Sequence, residues 1–452
     1  MPWRPPLPVD RWPLNSRGYE SHGLNPWEAA VVRRNAFLFV LISLLSGFGS
    51  TAMTLSAGIW VLDLTGSVSL AALTGLCIYA PTFAAPWLGA LVDRLPRRPL
   101  LIWVDLALGV LLLTLLTVSS ARDAWLIYAT LLARGLSYVL LDAGETAILP
   151  AALPTEWLGD VNGWRSSAQE GMKLLAPLAG AGLYAWRGPV PVVLLCAAMP
   201  LLTAACYALL NLRPTTAAEP AIAAGPATTA RSATADPRRP ERGEIRAGLA
   251  ALFGNPAVRT PVLVAAAAIG LSGLASAAVI GQVVHGLHLP ATRLGILSTA
   301  QGAGSILSGL LVGRLLARVS PLPVAALGTT VFAVGCVSSS IPWWPSMIAG
   351  SALAGLGLVW SLIAGVTAVQ TRTPDHLLGR VAATSNTVMF GPVALAIPLG
   401  SAAVHFGPTP LFLATAFLAL TAVAAVLVRP GGATNSHRLA PDTRSRPRQP
   451  QS

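Results

Sequence analysis

The sequence predicts an all-α integral membrane protein with twelve transmembrane helices in two pseudo-symmetric six-helix bundles. Three observations predict this fold class: the composition, a series of apolar segments of membrane-spanning length, and an internal repeat. Hydrophobic residues fill 54% of the 452 positions and charged residues only 11%. The mean hydropathy of +0.64 lies far above that of a soluble domain. The apolar segments are continuous rather than alternating, which excludes a β-barrel.

Twelve segments meet the length requirement for a transmembrane helix, about 20 mostly apolar residues. In the first half of the chain the predicted spans are about 36–62, 68–92, 99–119, 124–148, 161–186 and 190–212. In the second half they are about 258–284, 292–316, 322–341, 344–370, 379–404 and 409–428.

Three polar segments flank and separate these two sets of spans. Residues 1–35 form a proline-rich leader, 213–257 a linker rich in Ala, Thr, Pro and Arg, and 429–452 a tail. Such compositions cannot bury a core, so we expect a flexible linker and a disordered tail. The predicted domains are therefore a six-helix bundle over 36–212 and a second one over 258–428.

The distribution of arginine predicts the orientation of the chain. Arginines concentrate in the leader, the linker, the tail and the even-numbered connections, whereas the opposite side carries only Arg122, Arg187 and Arg293. The positive-inside rule then places both termini and the linker on the cytoplasmic side. We therefore expect a multi-pass protein of the cell (plasma) membrane. The net charge of +12 thus reflects topology in a lipid bilayer and does not indicate a nucleic-acid partner.

An offset of 220 residues aligns the chain with itself at three separated places. The segment "GALVDRLPRR" at 89 aligns with "GLLVGRLLAR" at 309. The same offset brings Gly75 onto Gly295 and Gly180 onto Gly400. Each half of the chain therefore repeats the plan of the other.

With parallel six-span repeats joined by a cytoplasmic linker, the chain resembles the major facilitator superfamily over nearly its full length. The segment between the second and third spans matches that superfamily's Gly-x-Leu-x-Asp-Arg-x-x-Arg-Arg signature. It is filled here by Gly89, Leu91, Asp93, Arg94, Arg97 and Arg98. The copy in the second half is degenerate and has Gly313 where the first has Asp93.

Other segments resemble the enterobactin-exporter-like and macrolide-efflux-like branch of this superfamily. They are "WVLDLTGS" after the first span, "RRPLLIWVDL" entering the third and "TPDHLLGRV" entering the eleventh. One departure is Ala176, which stands before Pro177 where the exporters' motif has glycine. The resemblance implies a secondary active transporter, a proton-coupled exporter of a small amphipathic or hydrophobic compound (drug, antibiotic or siderophore type) that works by alternating access.

The signature segment predicts a gate on the cytoplasmic face. Gly89 permits close helix approach, and Asp93 lies where arginines and a facing helix N-terminus would attract it. We expect that helix to begin near Gly379. Asp105, about one and a half turns into the third span, is predicted to hold one of the arginines Arg94, Arg97 or Arg98. The alternative is that these arginines only fix topology.

Ionisable residues inside predicted spans are costly and therefore indicate function. The fourth span carries Arg134, Asp142 and Glu145. The fifth carries Glu170 and Lys173, the single lysine of the chain. At about 1.5 Å per residue, Arg134 and Glu170 reach similar depths, so we expect a Glu170–Arg134 or Glu170–Lys173 pair in which Glu170 carries the coupling proton. A static polar cluster, with Asp142 and Glu145 as ordinary interfacial residues, is the alternative.

The predicted substrate cavity lies between the halves near the bilayer midplane, with Asn386 as a polar candidate in its wall. Few polar residues are available there, which favours an apolar or amphipathic cargo. Uptake of a small metabolite and a non-transporting scaffold or sensor remain alternatives. No phosphate-binding loop or zinc-protease motif occurs, so we expect no enzyme, no cofactor and no metal site.

Overall fold

A computed structural model of the chain describes residues 26–84, 88, 91–92, 94–212 and 249–428. Within this described part the chain is helical and contains no β-strand. The helices of the first half are α1 (Pro26–Thr65), α2 (Val68–Tyr79), α3 (Arg97–Leu113), α4 (Ala124–Ala152), α5 (Thr155–Arg187) and α6 (Pro189–Leu209). Those of the second half are α7 (Pro256–Gly281), α8 (Leu294–Leu316), α9 (Pro321–Ser340), α10 (Trp344–Arg372), α11 (Asp375–Ala403) and α12 (Pro408–Leu427).

Ten of these helices, some with a short flanking helical turn, are long and apolar enough to cross a membrane. The exceptions are α2, whose described apolar stretch of 68–84 is short, and α5. The α5 helix has 33 residues, but it carries several charged side chains and so has a low mean hydropathy. The structure thus confirms the all-α membrane fold class, and ten of the twelve predicted spans meet the criterion within the described residues.

Helix α1 begins at Pro26, ten residues before the predicted span. The apolar run starts at Ala36, but the preceding turns are held against the bundle by polar contacts. The amide of Asn35 donates to the carbonyl oxygens of Ala152 (3.0 Å) and Asn211 (2.8 Å). These bonds join the start of α1 to the ends of α4 and α6, because a buried amide needs partners. The remainder of the predicted leader, nearly all of the linker and the tail lie outside the described residues.

The two halves repeat the same geometry. Helices α4 and α10 begin 220 residues apart, as do α5 and α11, which is the offset found in the sequence. The turn from α5 to α6 uses Gly188 at φ 71°, and the turn from α11 to α12 uses Gly407 at φ 103°. Each glycine adopts a left-handed conformation that other residues disfavour, and each is followed by a proline that starts the next helix.

Packing between the halves follows the same symmetry. Within the first half α1 packs against α5 and α6, and within the second half the equivalent helix α7 packs against α11 and α12. The halves meet where α2 contacts α11 and where α5 contacts α8. Because the offset relates α2 to α8 and α5 to α11, these two contacts are copies of each other, which is the arrangement expected for a pseudo-two-fold axis.

Candidate functional site

A central cavity of about 340 Å³ lies between the two halves. Helices α1 and α2 form its wall on one side, and α7 to α12 form the other walls. Its lining is mostly apolar and includes Ile59, Phe332 and Phe412, with a few neutral polar side chains. These are chiefly Thr54, Thr74, Tyr79, Ser272, Ser276, Ser298, Gln301, Ser339 and Ser351. Among the described residues no Asp, Glu, Lys or Arg lines this cavity.

The halves are joined at the end of the molecule where α1 connects to α2. Ser69 of α2 and Ser401 of α11 exchange two hydrogen bonds, each hydroxyl donating to the other residue's carbonyl oxygen, at 2.7 and 2.6 Å. The ring of His405 lies 3.2 Å from the Ser69 hydroxyl. On the symmetry-related side, the Thr299 hydroxyl of α8 donates to the carbonyl oxygen of Leu174 in α5 (2.9 Å).

Small residues allow α5 and α8 to approach closely at this end. A side chain on Gly295 would place its Cβ 2.8 Å from the carbonyl oxygen of Pro177, and one on Gly302 would lie 2.7 Å from that of Lys173. The sequence repeat had singled out Gly295, and the structure shows the contact that requires it. Backbone-to-backbone packing of this kind is typical of membrane helix interfaces.

The opposite end, where the linker leaves and re-enters the bundles, is separated. A Cβ added to Gly159, Gly163 or Gly171 of α5, or to Gly309 or Gly313 of α8, would meet no atom of a neighbouring element within 4 Å. The same two helices that touch at one end therefore part at the other. The halves are in contact at the α1–α2 end, and α5 and α8 are apart at the linker end.

A second cavity of about 190 Å³ lies inside the first half, and we call it the polar cavity because charged and hydroxyl-bearing side chains stand in its wall. Asp105 and Arg134 line it and are 3% and 9% exposed. The Thr203 hydroxyl of α6 donates to Asp105 Oδ2 at 2.5 Å, whereas Arg134 donates no hydrogen bond to any described residue. The other polar lining side chains are Ser46, Ser50, Thr51, Tyr138, Gln169, Lys173 and Thr203.

A separate buried cluster surrounds Glu145, nearer the linker end. Glu145 Oε2 pairs with the guanidinium of Arg165, and Glu145 Oε1 accepts a hydrogen bond from the Tyr207 hydroxyl. Arg165 also donates to Ser43 Oγ (3.1 Å) and Asn162 Oδ1 (3.4 Å). This cluster ties α1, α4, α5 and α6 together. Sequence reasoning missed Arg165 and Tyr207, although Arg165 is an ionisable residue inside the predicted fifth span.

The residues predicted for proton coupling are divided between these environments. Glu170 pairs with Lys173 at 2.5 Å, one turn along α5, and both side chains are nearly half exposed. Of the two partners predicted for Glu170, the structure thus shows Lys173, while Arg134 lies with Asp105 instead. Asp142 is exposed on α4. Asn386 is also exposed and lines neither cavity.

The predicted gate is only partly within the described residues. Gly89 and Asp93 lie outside them, so their role stays a prediction. Arg94 is exposed, while Arg98 donates to the backbone carbonyl oxygens of Tyr207 (3.1 Å) and Ala208. A cation at the C-terminus of α6 stabilises that helix end.

The prediction that Asp105 holds an arginine of the signature is corrected by the structure. Its side chain points instead to Thr203 and the polar cavity, because it lies about 12 Å along α3 from Arg97 and α6 packs closely there.

Metal-binding groups do not assemble in the described part of the chain. No cluster of three or more His, Cys, Asp and Glu side chains suited to a metal ion occurs there. The four cysteines, Cys77, Cys196, Cys206 and Cys336, are free thiols in apolar helices.

Comparison with known proteins supports the family suggested by the sequence. The family model of the Major Facilitator Superfamily matches residues 261–450, which is essentially the second half. No curated protein sequence matches the chain at a significant level.

Several solved structures share the fold. A bacterial homologue of the iron transporter ferroportin, in an inward-facing state, is 17% identical with a TM-score of 0.62, covering 88% of this chain and 100% of that one. A D-xylose–proton symporter is 14% identical (TM-score 0.64, covering 88% and 97%). A POT family transporter in complex with 5-aminolevulinic acid is 11% identical (TM-score 0.65, covering 87% and 96%).

The protein is therefore a multi-pass, all-helical membrane protein whose fold is similar to that of these solved transporters. At these identities the solved structures show the fold alone. The family match, which covers the second half, supports the same superfamily for the chain, and the resemblance to the exporter branch stays a prediction.

Proposed function

We propose that this protein is a secondary active transporter that exports a small apolar or amphipathic molecule by alternating access, with protons as the coupling ion. The observation that carries this proposal is the uncharged cavity between two halves that are in contact at the α1–α2 end, while α5 and α8 are apart at the linker end. Such an arrangement can hold a molecule at the centre of the membrane while one face is closed.

The chemistry of the central cavity indicates the class of substrate. A charged substrate would have to leave water for a site without a charged partner, which is energetically costly. Apolar walls with a few hydroxyl and amide groups suit a molecule that is mainly hydrophobic and has one or two neutral polar groups. A lipophilic drug or antibiotic fits this description, as does a neutral siderophore fragment.

The direction of transport is proposed from the predicted orientation. Arginines concentrate at the linker end, which places that end in the cytoplasm. With α5 and α8 apart there and the halves in contact at the other end, the cavity would load from the cytoplasm or the inner leaflet. This inward-facing state is the one from which an exporter takes its cargo.

Proton coupling is proposed from the uneven distribution of charge. The described helices of the first half carry Asp105, Arg134, Glu145, Arg165, Glu170 and Lys173 inside the membrane, whereas no acid lies inside the predicted spans of the second half. Buried ionisable groups are expensive in a membrane and commonly serve ion movement. Uptake of a small metabolite is the second candidate, since the fold is shared with a D-xylose–proton symporter.

Transport by inside-out vesicles tests the proposal. Vesicles that contain the protein should accumulate a lipophilic dye such as Hoechst 33342, or a macrolide, when a proton gradient is applied, and empty vesicles should not. Accumulation only in right-side-out vesicles would favour uptake. If neither orientation moves any compound of this class, the exporter proposal is wrong.

Two matched variants connect transport to the cavity. Ser276→Asp introduces a charge into the cavity wall and should lower accumulation at least about tenfold, since a buried unpaired carboxylate costs several kcal/mol. Ser320→Asp places the same change at the exposed start of α9 and should transport normally. Equal activity of the two variants would exclude this cavity as the substrate site.

A further inference from the structure

We infer that Asp105, rather than Glu170, is the carboxyl that binds the coupling proton. The inference rests on the proposed function, because it names the site of the ion that would drive transport. The sequence predicted that Asp105 holds an arginine of the signature and that Glu170 carries the coupling proton. The inference replaces both of these predictions.

The buried and half-buried acids of the first half differ in their partners. Glu145 is held by the Arg165 guanidinium and the Tyr207 hydroxyl, and Glu170 by the Lys173 ammonium. An acid with a bonded cation loses that attraction on protonation, so it resists neutralisation. Asp105 is bonded only to the hydroxyl of Thr203 among the described residues. A protonated Asp105 keeps this hydrogen bond and gains a donor of its own.

Access for the proton is provided by the polar cavity. Asp105 is 3% exposed, yet it lines a space of about 190 Å³, enough for several water molecules at about 30 Å³ each. The hydroxyls of Ser46, Ser50 and Thr51 on α1 line the same space and can hydrogen-bond such waters. A water chain along these hydroxyls can bring the proton to the carboxyl.

Protonation of Asp105 would change the structure around the cavity through its effect on Arg134. Arg134 is 9% exposed, lines the same cavity and donates no hydrogen bond within the described part of the chain. The ionised carboxylate of Asp105 offsets its charge. When Asp105 is protonated, the guanidinium is left buried without a counter-charge, which favours rearrangement or hydration of the cavity.

The cavity adjoins the contact between the halves. Lys173, another lining residue, places its backbone carbonyl against Gly302 of α8. A rearrangement around Arg134 therefore reaches the α5–α8 contact that closes the outer end. Protonation of Asp105 and separation of the halves are linked through this one turn of α5.

The other titratable and charged groups around Asp105 come from three helices. From α4 they are Arg134, Tyr138 and Glu145; from α5, Arg165, Glu170 and Lys173; and from α6, Cys196 and Tyr207. The acids among them are paired with cations, as described above. The α1 wall of the cavity contributes hydroxyl groups and no ionisable one.

Conformational labelling tests the inference without a known substrate. A cysteine introduced by Gly313→Cys, at the open end, is labelled with a maleimide as the pH is varied, after Cys77→Ala removes the partly exposed native thiol. The rate is divided by that of Ser320→Cys, which reports the intrinsic reactivity of an exposed thiol. We expect a pH-dependent ratio that becomes independent of pH in Asp105→Asn and stays pH-dependent in Glu170→Gln.

The outcomes separate this inference from the proposed function. Loss of the pH dependence in Glu170→Gln, its persistence in Asp105→Asn, or a native ratio that does not change with pH would each overturn the assignment to Asp105. Asp105→Glu, which keeps an acid, should retain the dependence, and a thermal unfolding midpoint of Asp105→Asn close to that of the native protein checks that the Asn variant is folded. Proton-driven dye transport that survives in Asp105→Asn refutes this inference and leaves the exporter proposal standing. If the pH dependence of labelling is lost only in Asp105→Asn but the vesicles move no dye, the inference stands and the exporter proposal is refuted.

Discussion

The buried charges of the first half are stabilised in two different ways. Glu145 lies among donors, with Arg165 on one oxygen and Tyr207 on the other. Asp105 is bonded to the neutral Thr203 hydroxyl and lines a polar cavity. The first arrangement fixes four helices at the linker end, and the second leaves a carboxyl free to change its protonation.

Removing one partner of the Glu145 pair should destabilise the protein. Glu145→Gln keeps the shape of the side chain but leaves the buried Arg165 guanidinium without a counter-charge, which costs about 3–5 kcal/mol when a buried pair is broken. We expect a clear drop in the thermal unfolding midpoint of the detergent-solubilised protein. The double variant Glu145→Gln/Arg165→Gln should lose less than the two single variants together.

An exposed acid on the neighbouring helix serves as the control for this measurement. Asp160→Asn removes a carboxylate at the surface of α5 and should leave the midpoint within the small range typical of surface changes. Strict additivity of the Glu145 and Arg165 changes would show that the two side chains do not act as a pair.

These residue contacts mark the limit of sequence reasoning for the site. Counting residues along the helices placed Glu170 and Arg134 at similar depths in the membrane. Depth does not give the direction in which each side chain points. Arg134 and Asp105, which line one cavity, and the bonded pair Glu145 and Tyr207 are on different helices and far apart in the sequence. Only the packing of α3 against α4 and α6 brings them together.

At the scale of helices, the second half depends on glycine for close packing. Any side chain on Gly304 of α8 would overlap the carbonyl oxygen of Ala352 in α10, and one on Gly355 of α10 would overlap that of Gln301 in α8. The two backbones are therefore in direct contact on this face. The sequence showed that these helices are rich in small residues, but not which of them face each other.

The change Gly304→Ala should force α8 and α10 apart. Overpacking a close contact typically costs 1–3 kcal/mol, so we expect a lower thermal unfolding midpoint and a lower yield of folded protein. Gly309→Ala is the matched control on the same helix, where a Cβ meets no atom within 4 Å. Because alanine favours the helix over glycine by about 1 kcal/mol, the control should be at least as stable as the native chain. An equal loss in both variants would contradict this packing.

The helices were predicted well where apolar side chains that favour the bilayer dominate the segment. Ten helices contain a long and mainly apolar stretch, and the bilayer requirement alone identifies them. The fifth helix is longer than its predicted span, beginning at Thr155 and ending at Arg187. Of its charged side chains, Lys173 lines the polar cavity and Arg165 belongs to the Glu145 cluster, whereas Asp160 is exposed. The residues before 161 were predicted to lie outside the span because charged side chains lower the hydropathy. Hydropathy does not include the protein contacts that stabilise these side chains in a helix.

For the whole molecule, the sequence repeat and the packing of the halves both follow from one pseudo-two-fold symmetry that relates the two halves. The contacts α2–α11 and α5–α8 are exchanged by the 220-residue offset, and both include residues at the α1–α2 end. A pseudo-symmetric pair of contacts can open and close together, as alternating access requires. The fold was predictable because the repeat was visible. The conformational state was not, because the sequence is the same in every state.

A disulfide across the closed end should lock the transporter. Ser69 and Ser401 already exchange hydrogen bonds between α2 and α11, so Ser69→Cys/Ser401→Cys places two thiols within bridging distance. In a Cys77→Ala background, oxidation should cross-link the halves, stop dye transport in vesicles and leave transport recoverable by reduction.

The complementary pair at the linker end tests whether that end also closes. The α5–α8 contacts pair residue 295 with 181 and 302 with 173. If α5 and α8 closed along their whole length, the same antiparallel register would bring Gly163 opposite Gly313. Gly163→Cys/Gly313→Cys should therefore cross-link slowly in the resting protein, since the two positions are apart, and faster when a proton gradient and dye drive turnover. Rapid cross-linking at rest would contradict the open linker end. If turnover gives no cross-link while the Ser69–Ser401 disulfide still blocks transport, closure at that end involves other helices than α5 and α8.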